Sequence, residues 1–176
     1  MPWDDAPDMS TPKTLLIVYH SMTDGTRQMA EAARAGACAS AEDQVQARLL
    51  HAAQAGPADL LAADGYLFAT PENLASMSGQ LKDFFDRSYY AVLDQINGRP
   101  YACLVCAGSD GQGAARQIGR IATGLRLKPI AEPLIVCTHA QTPEAILTTK
   151  RIHVDELQRC HALGEAMALG LELGVF

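Results

Sequence analysis

Residues 14–26, TLLIVYHSMTDGT, join an apolar run to a polar loop that ends in a glycine and a threonine. The run at residues 14–20 has the length of a strand and little alternation, which is typical of a strand covered on both faces. The segment that follows, residues 26–39 (TRQMAEAARAGACA), is rich in alanine, arginine and glutamate and predicts a helix. This strand–loop–helix unit is the first of several strand and helix patterns along the chain, and their order predicts the fold.

Further strand and helix patterns alternate along the chain. Apolar runs predict four more strands, the first of them weaker than the rest, at residues 45–50, 65–70, 101–107 and 129–137. Helical apolar spacing or helix-forming composition predicts helices at residues 58–63, 80–93, 112–127 and 150–173. Pro71 is expected to end the third strand.

The alternation of strands and helices predicts an α/β fold. Strands that are apolar on both faces need helices on both sides of a parallel sheet. Right-handed crossovers around a central first strand then predict a three-layer α/β/α sandwich, with a five-stranded parallel sheet of order 2-1-3-4-5.

The composition limits the classes of function. The chain has 176 residues, of which 48% are hydrophobic and 19% charged, and its formal net charge is −6. We expect a disordered N-terminal tail over residues 1–12 and a single domain over residues 13–176. The acidic balance argues against nucleic acid as a partner, and no apolar stretch is long enough for a transmembrane segment. The tail lacks the apolar core of a signal peptide, so we expect a cytoplasmic location.

Three polar loops follow strands 1, 3 and 4, at residues 20–26, 70–79 and 107–113. In a sheet of this order a ligand lies beyond the carboxyl ends of the strands, at the switch point between strands 1 and 3. We therefore expect the three loops to form one site.

The first loop has the chemistry of an anion site. Ser21, Thr23 and Thr26 offer hydroxyl donors, and the loop leads directly into the free amides at the start of a helix. Gly25 is expected to adopt a positive φ and let the backbone approach a ligand. The loop contains no lysine and no G-x-x-x-x-G-K-[ST] pattern, which favours a monophosphate over a nucleoside triphosphate. The alternative is that these hydroxyls only cap the helix.

Two of these loops resemble a known family. Residues 15–26 resemble the first strand and phosphate loop of flavodoxin-like proteins, with hydroxyls at the S/T-x-T-x-x-T spacing. Residues 70–86 (TPENLASMSGQLKDFFD) resemble the flavin loop of the Trp-repressor-binding-protein-like NAD(P)H:quinone oxidoreductases and of the NADPH-dependent FMN reductases. The resemblance implies a flavodoxin-like fold that binds FMN, with residues 13–176 forming the FMN-binding domain.

The resemblance also implies which residues hold the cofactor. The first loop would bind the ribityl phosphate through Ser21, Met22, Thr23, Asp24, Gly25 and Thr26. One edge of the isoalloxazine ring would lie against Pro71, Glu72, Asn73, Leu74, Ala75, Ser76 and Met77. Backbone amides would approach the other side of the ring at Gly108, Ser109, Asp110 and Gly111.

The family chemistry implies an FMN-dependent oxidoreductase in which NAD(P)H delivers a hydride to flavin N5 and a quinone or similar small molecule accepts the electrons. The cofactor carries that chemistry, so no catalytic side chain is assigned. Relatives of the quinone-reductase type pair, which implies a homodimer or homotetramer. The alternative function is a flavodoxin-type electron carrier without a substrate of its own. A receiver-like signalling domain is disfavoured because His20-Ser21 and Thr70-Pro71 stand where it needs acidic residues.

Two features depart from the family pattern. Asp24 stands where a glycine usually follows the second threonine, and a carboxylate there repels a phosphate unless it points outward or caps the helix. The ring-binding loops contain no aromatic residue, only Leu74 and Met77. An uncovered ring face leaves room for a substrate or a nicotinamide to stack, which favours an enzyme over a carrier.

The remaining reactive residues are interpreted as structural. Cys103 and Cys106 form a C-x-x-C pattern, but residues three apart in a strand point to opposite faces, so we expect two buried thiols. The five cysteines are widely spread, as in proteins of a reducing compartment. The scattered histidines give no metal-ligand spacing, and no metal site is predicted. Asp110 either lowers the potential of a nearby flavin or forms the turn.

Overall fold

The structure is a computed structural model, and it describes residues 11–41 and 43–176. The expected tail at residues 1–12 lies almost entirely outside these residues. None of the helices in the described part of the chain combines the length and the apolar character needed to cross a membrane.

Seven strands and six helices follow one another along the described residues. The strands are β1 (Lys13–Tyr19), β2 (Val45–His51), β3 (Gly65–Asn73), β4 (Ser76–Met77), β5 (Pro100–Ala107), β6 (Lys128–Pro129) and β7 (Leu134–Cys137). The helices are α1 (Gly25–Ser40), α2 (Pro57–Ala62), α3 (Gly79–Val92), α4 (Gln112–Gly124), α5 (Pro143–Leu147) and α6 (Val154–Leu173).

The parallel sheet confirms the predicted order, with its fifth strand in two pieces. The order is β2-β1-β3-β5, and β6 and β7 both pair with β5, one near its start and the other near its end. The sequence pattern predicts one continuous strand over residues 129–137. Pro129 and Pro133 flank the break, and a proline has no N–H to give to a ladder.

Pro71 does not end β3, contrary to the sequence-based expectation. The pairing of β1 with β3 stops at Ala69, so the side of the strand that lacks the Pro71 N–H no longer faces a partner. β3 therefore continues to Asn73 and turns back into β4. Leu74 and Ala75 form the two-residue turn with φ values of 51° and 61°, as a hairpin of this length requires.

Helices cover both faces of the sheet, as predicted. On one face Phe68 of β3 packs against Phe84 and Phe85 of α3, at ring-centroid distances of 6.4 and 5.0 Å. On the other face α1 and α6 pack against the sheet and against each other. Cβ atoms added to Gly36 and Gly164 would lie 1.9 Å from the His161 carbonyl oxygen and 1.8 Å from the Ala33 carbonyl oxygen. The small residues of both helices therefore permit a very close helix contact.

The last helix begins later than the apolar spacing predicts. α6 starts at Val154, where the His153 side chain caps it by accepting a hydrogen bond from the Asp155 N–H at 3.3 Å. Residues 150–153 instead form an extended connection from the unpredicted helix α5. This connection runs past the start of α1, because the Lys150 N–H donates to the Thr23 carbonyl at 2.7 Å.

Candidate functional site

The three polar loops meet at one cavity of about 600 Å³, beyond the carboxyl ends of β1, β3 and β5. This is the place that the strand order predicts for a ligand. Twelve of the seventeen residues expected at the cofactor line it: Ser21, Met22, Thr23, Gly25, Thr26, Pro71, Glu72, Asn73, Leu74, Ala75, Gly108 and Ser109.

The other five expected residues do not line the cavity. Asp24 turns toward α1, and Ser76 donates to the Gln117 Oε1 at 2.9 Å. Met77 is buried in the core beside α3, and Asp110 is exposed. Gly111 is buried with a φ of 83°, and its N–H donates to Glu72 rather than facing the cavity.

Six residues of the cavity wall were not among the residues expected at the cofactor: Cys106, Ala107, Thr138, Ala140, Ile146 and Lys150. The first two end β5, and Ala107 is also the first residue of the third predicted loop. The other four follow β7, whose carboxyl end lies beside that of β5. The Thr142-Pro143-Glu144 sequence was the available signal, because a threonine cap followed by proline marks the start of a helix.

The carboxylate of Asp24 points away from the loop. Its Oδ1 accepts a hydrogen bond from the Arg27 Nε at 2.5 Å, and its Oδ2 accepts one from the Gln28 Nε2 at 3.3 Å. The hydrogen bond from Arg27 is the main reason why the pKa of Asp24 lies below its usual value. Because the carboxylate does not cap α1 and is paired with a cation, its repulsion of an anion in the loop is reduced.

The positive φ of this loop belongs to Asp24, at 73°, and not to Gly25 as expected. Gly25 is needed for a different reason. A Cβ at Gly25 would lie 2.6 Å from the Cys106 Sγ, so only glycine lets the start of α1 approach the end of β5 this closely. The glycine expected for its backbone freedom thus serves tight packing.

Two hydroxyl groups at this end of the cavity have no hydrogen-bond partner in the part of the chain that the structure describes. Ser21 Oγ and Thr26 Oγ1 are both buried, and both residues line the cavity. A buried polar group without a partner is costly, which makes these two atoms ready donors to a ligand oxygen. α1 also has no acidic residue in its first turn and no side-chain cap, so its N-terminal amides remain open to an anion.

Backbone amides at the start of α4, at the other side of the cavity, already donate to a carboxylate. Glu72 accepts hydrogen bonds from the Gly111 N–H at 2.8 Å and the Ala114 N–H at 3.1 Å. The turn of the β3–β4 hairpin packs against the same helix, because a Cβ at Gly113 would lie 2.1 Å from the Ala75 carbonyl oxygen. Glu72 therefore neutralises α4 and fixes the hairpin, and of these two helix starts only that of α1 stays open to an anion.

The cavity fits FMN in both of its parts. The unpartnered hydroxyls and open amides at α1 suit a phosphate, and the wall formed by residues 71–75 and 106–109 is mostly apolar or backbone, which suits a flat ring. The rim is aliphatic: Leu74 is fully exposed, and Met22 and Ile146 are 55% and 45% exposed. No aromatic side chain lines this cavity among the described residues, in agreement with the sequence.

The thiols near the cavity are held neutral. Cys103 packs on one face of the sheet and Cys106 on the other, which confirms the expectation of two buried thiols that cannot pair. Burial raises the pKa of Cys106 to about 11 and that of Cys103 to about 12. His20, next to the phosphate loop, has its pKa lowered by burial and then by the neighbouring His51. None of these groups adds a charge beside the loop at neutral pH.

This chain aligns with about half the length of each of two curated relatives. A protein named flavodoxin from Aquifex aeolicus is 31% identical over 99 residues, which are 56% of this chain and 50% of that protein. A protein named NAD(P)H dehydrogenase (quinone) from Acidithiobacillus ferrooxidans is 34% identical over an alignment 92 residues long, which covers 42% of this chain and 46% of that protein. The chain thus spans about half the length of the curated relatives that it matches.

A solved structure supports the fold, and a family model identifies the family. The flavodoxin, WrbA-like protein from Agrobacterium tumefaciens superposes with a TM-score of 0.68 at 18% identity, covering 92% of this chain and 98% of that one. The family model for NADPH-dependent FMN reductases matches residues 29–142, well over half of the chain. The predicted resemblance is confirmed: the chain belongs to the NADPH-dependent FMN reductase family, whose cofactor is FMN.

Proposed function

We propose that the protein is an FMN-dependent oxidoreductase that takes electrons from NAD(P)H and passes them to a quinone or a similar small acceptor. The observation that carries the proposal is the division of one cavity into two chemically different parts. One part holds unpartnered hydroxyls at an open helix start, and the other has an aliphatic rim without an aromatic cover.

The residues of this chain bind and orient the cofactor. Ser21 and Thr26 would donate their free hydroxyl hydrogens to the phosphate, beside the amides of α1. The hairpin that Glu72 fixes against α4 would set the position of the ring. When bound, FMN supplies the redox chemistry, since the flavin can accept a hydride and release its electrons to an acceptor.

The open rim would determine which molecules react. Met22, Leu74 and Ile146 offer aliphatic contact to the edge of a second ring without closing the cavity. A nicotinamide or a quinone is a flat ring of this kind, and burial of its faces is favourable. The only charged side chains among the described wall residues are Glu72 and Lys150, and Glu72 is engaged by α4. We therefore assign no proton donor.

Steady-state turnover tests the proposal. Protein loaded with FMN and then desalted is expected to oxidise NADH or NADPH when a soluble benzoquinone is present, at a rate proportional to protein concentration. The late-eluting, protein-free fraction from the desalting column is the control for free flavin. Oxidation that is found in this fraction rather than with the protein would contradict the proposal.

An electron carrier is the second candidate, and the relative named flavodoxin favours it. A carrier has no site for NAD(P)H and exchanges electrons with another protein. FMN-loaded protein that shows negligible turnover alone, but is reduced when a separate flavoprotein reductase and NADPH are added, would support the carrier and reject the enzyme.

A further inference from the structure

We propose that Lys150 supplies the positive charge that faces the FMN phosphate, from a segment far from the phosphate loop in the sequence. The inference rests on the proposed binding of FMN. The first loop, residues 20–26, contains no lysine or arginine. The next cation, Arg27, is paired with Asp24.

The backbone of Lys150 lies against the phosphate loop. Its N–H donates to the Thr23 carbonyl at 2.7 Å, and a Cβ added at Gly25 would lie 3.4 Å from the Lys150 Cβ. Lys150 lines the same cavity as Ser21, Thr23 and Thr26. The side chain therefore starts beside the residues that offer donors to the phosphate.

Gln28 of α1 holds this segment in place. Its Nε2 donates to the Lys150 carbonyl at 2.8 Å, and its Oε1 accepts from the Ile152 N–H at 3.1 Å. The same Nε2 also lies 3.2 Å from the Asp24 carbonyl oxygen. One side chain thus joins the phosphate loop to the connection before α6, which fixes the position of Lys150 relative to α1.

The charge of Lys150 is not neutralised. Within the described part of the chain, no carboxylate lies within ion-pair distance of its ammonium, which donates only to the carbonyls of Ala145, Ile146 and Thr148 at the end of α5. Lys150 is also the only cationic side chain of the cavity wall among these residues. Its charge acts on the Cys106 thiol, whose pKa it lowers against the larger effect of burial.

The Lys150 ammonium is thus a positive charge at the cavity wall that is available to a bound anion. An ammonium on a flexible four-carbon stem can leave neutral carbonyls for a phosphate, because hydrogen bonds between ionised groups are stronger than those to neutral ones. The short helix α5, which has no buried residue, would lose only a cap in the exchange.

Comparison of FMN with riboflavin tests the inference, since riboflavin lacks the phosphate. We expect Lys150→Met to weaken FMN binding by about tenfold or more and to leave riboflavin binding within about twofold, measured by flavin fluorescence during titration of the apoprotein. Lys150→Arg should keep most of the FMN affinity. Added salt should weaken FMN binding more in the wild type than in Lys150→Met.

Arg151→Met is the matched control, because Arg151 is exposed and does not line this cavity. It removes the same charge one residue away and should change neither affinity by more than about twofold. Equal loss of FMN and riboflavin affinity in Lys150→Met would show a structural role and overturn the inference, as would an unchanged FMN affinity. If the wild type bound riboflavin and FMN equally weakly, the proposed cofactor site would fail as well.

Discussion

At the scale of single residues, the start of α1 combines a buried, unpartnered hydroxyl with a carboxylate that is turned away from it, among the described residues. Asp24 has a left-handed backbone, and its carboxylate turns to Arg27. The hydroxyl of Thr26, two residues later, is buried without a partner. Aspartate is one of the few residues other than glycine that adopt left-handed backbone, because its short polar side chain can form local hydrogen bonds.

Substitution of Thr26 by valine separates binding from stability. Thr26→Val keeps the shape and removes the unpartnered hydroxyl, so we expect the free energy of unfolding of the apoprotein to stay constant or rise by up to about 1 kcal/mol. FMN affinity should fall by about tenfold or more, because a hydrogen bond to a charged phosphate is lost. Urea unfolding and fluorescence titration measure the two effects.

Thr26→Ser is the control, since it retains the hydroxyl and should retain most of the FMN affinity. A valine variant that bound FMN as tightly as the wild type would show that Thr26 does not contact the phosphate.

The sequence predicted the hydroxyls of this loop but not the geometry around them. The spacing of Ser21, Thr23 and Thr26 after an apolar strand predicts an anion site, and all three residues line the cavity. The exchange of roles between Asp24 and Gly25 was not visible, because it depends on the Cys106 Sγ from another strand. Lys150 was missed for the same reason: its approach to Thr23 is a contact between distant parts of the chain.

At the scale of elements, the contact between α1 and α6 explains the small residues of both helices. Gly36 faces the His161 backbone, and Gly164 faces the Ala33 backbone. Neither glycine has a positive φ. A side chain at either position would force the two helices apart.

We expect Gly164→Ala to lower the free energy of unfolding by about 1–3 kcal/mol or more, because an added methyl group would overlap backbone atoms of α1. Gly119→Ala in α4 is the matched control. The nearest atom to a Cβ at Gly119 is the Tyr101 hydroxyl oxygen at 3.9 Å, so alanine fits there and should stabilise the helix by about 0.5–1 kcal/mol. Urea unfolding of both variants measures the difference. A Gly164→Ala variant as stable as Gly119→Ala would contradict the close contact.

The elements that were predicted correctly are those with a strong apolar pattern. β1, β3 and β5 are buried on both faces, so their hydrophobic runs are nearly continuous. α5 buries no residue, and β4 has only two residues, so neither has a periodic pattern to detect. The hairpin of β3 and β4 depends on Pro71 lying where β1 has ended, which requires knowledge of the sheet register.

At the scale of the whole molecule, the buried thiols make the free energy of unfolding depend on pH in the alkaline range. Burial raises the pKa of Cys103 and Cys160 to about 12 and that of Cys106 to about 11. In the unfolded chain a thiol ionises near a pKa of about 8.5. Because the folded pKa is the higher one, the stability contribution is complete below about pH 8 and is lost as the pH rises toward the folded values.

We therefore expect the free energy of unfolding to fall between pH 8 and pH 10, with a limiting slope of about 1.4 kcal/mol per pH unit for each buried thiol. Urea unfolding under reducing conditions measures this slope. Cys160→Ala should reduce it, whereas Cys38→Ala, which changes an exposed thiol, should not. Equal slopes in the wild type and in Cys160→Ala would show that the Cys160 thiol ionises in the folded protein.

A crystal structure of the protein with bound FMN would locate the cofactor. We expect the phosphate beside the hydroxyls of Ser21 and Thr26 at the start of α1, and the flavin ring between residues 71–75 and 106–109. Flavin at any other place, or a phosphate directed toward the start of α4, would contradict this expectation.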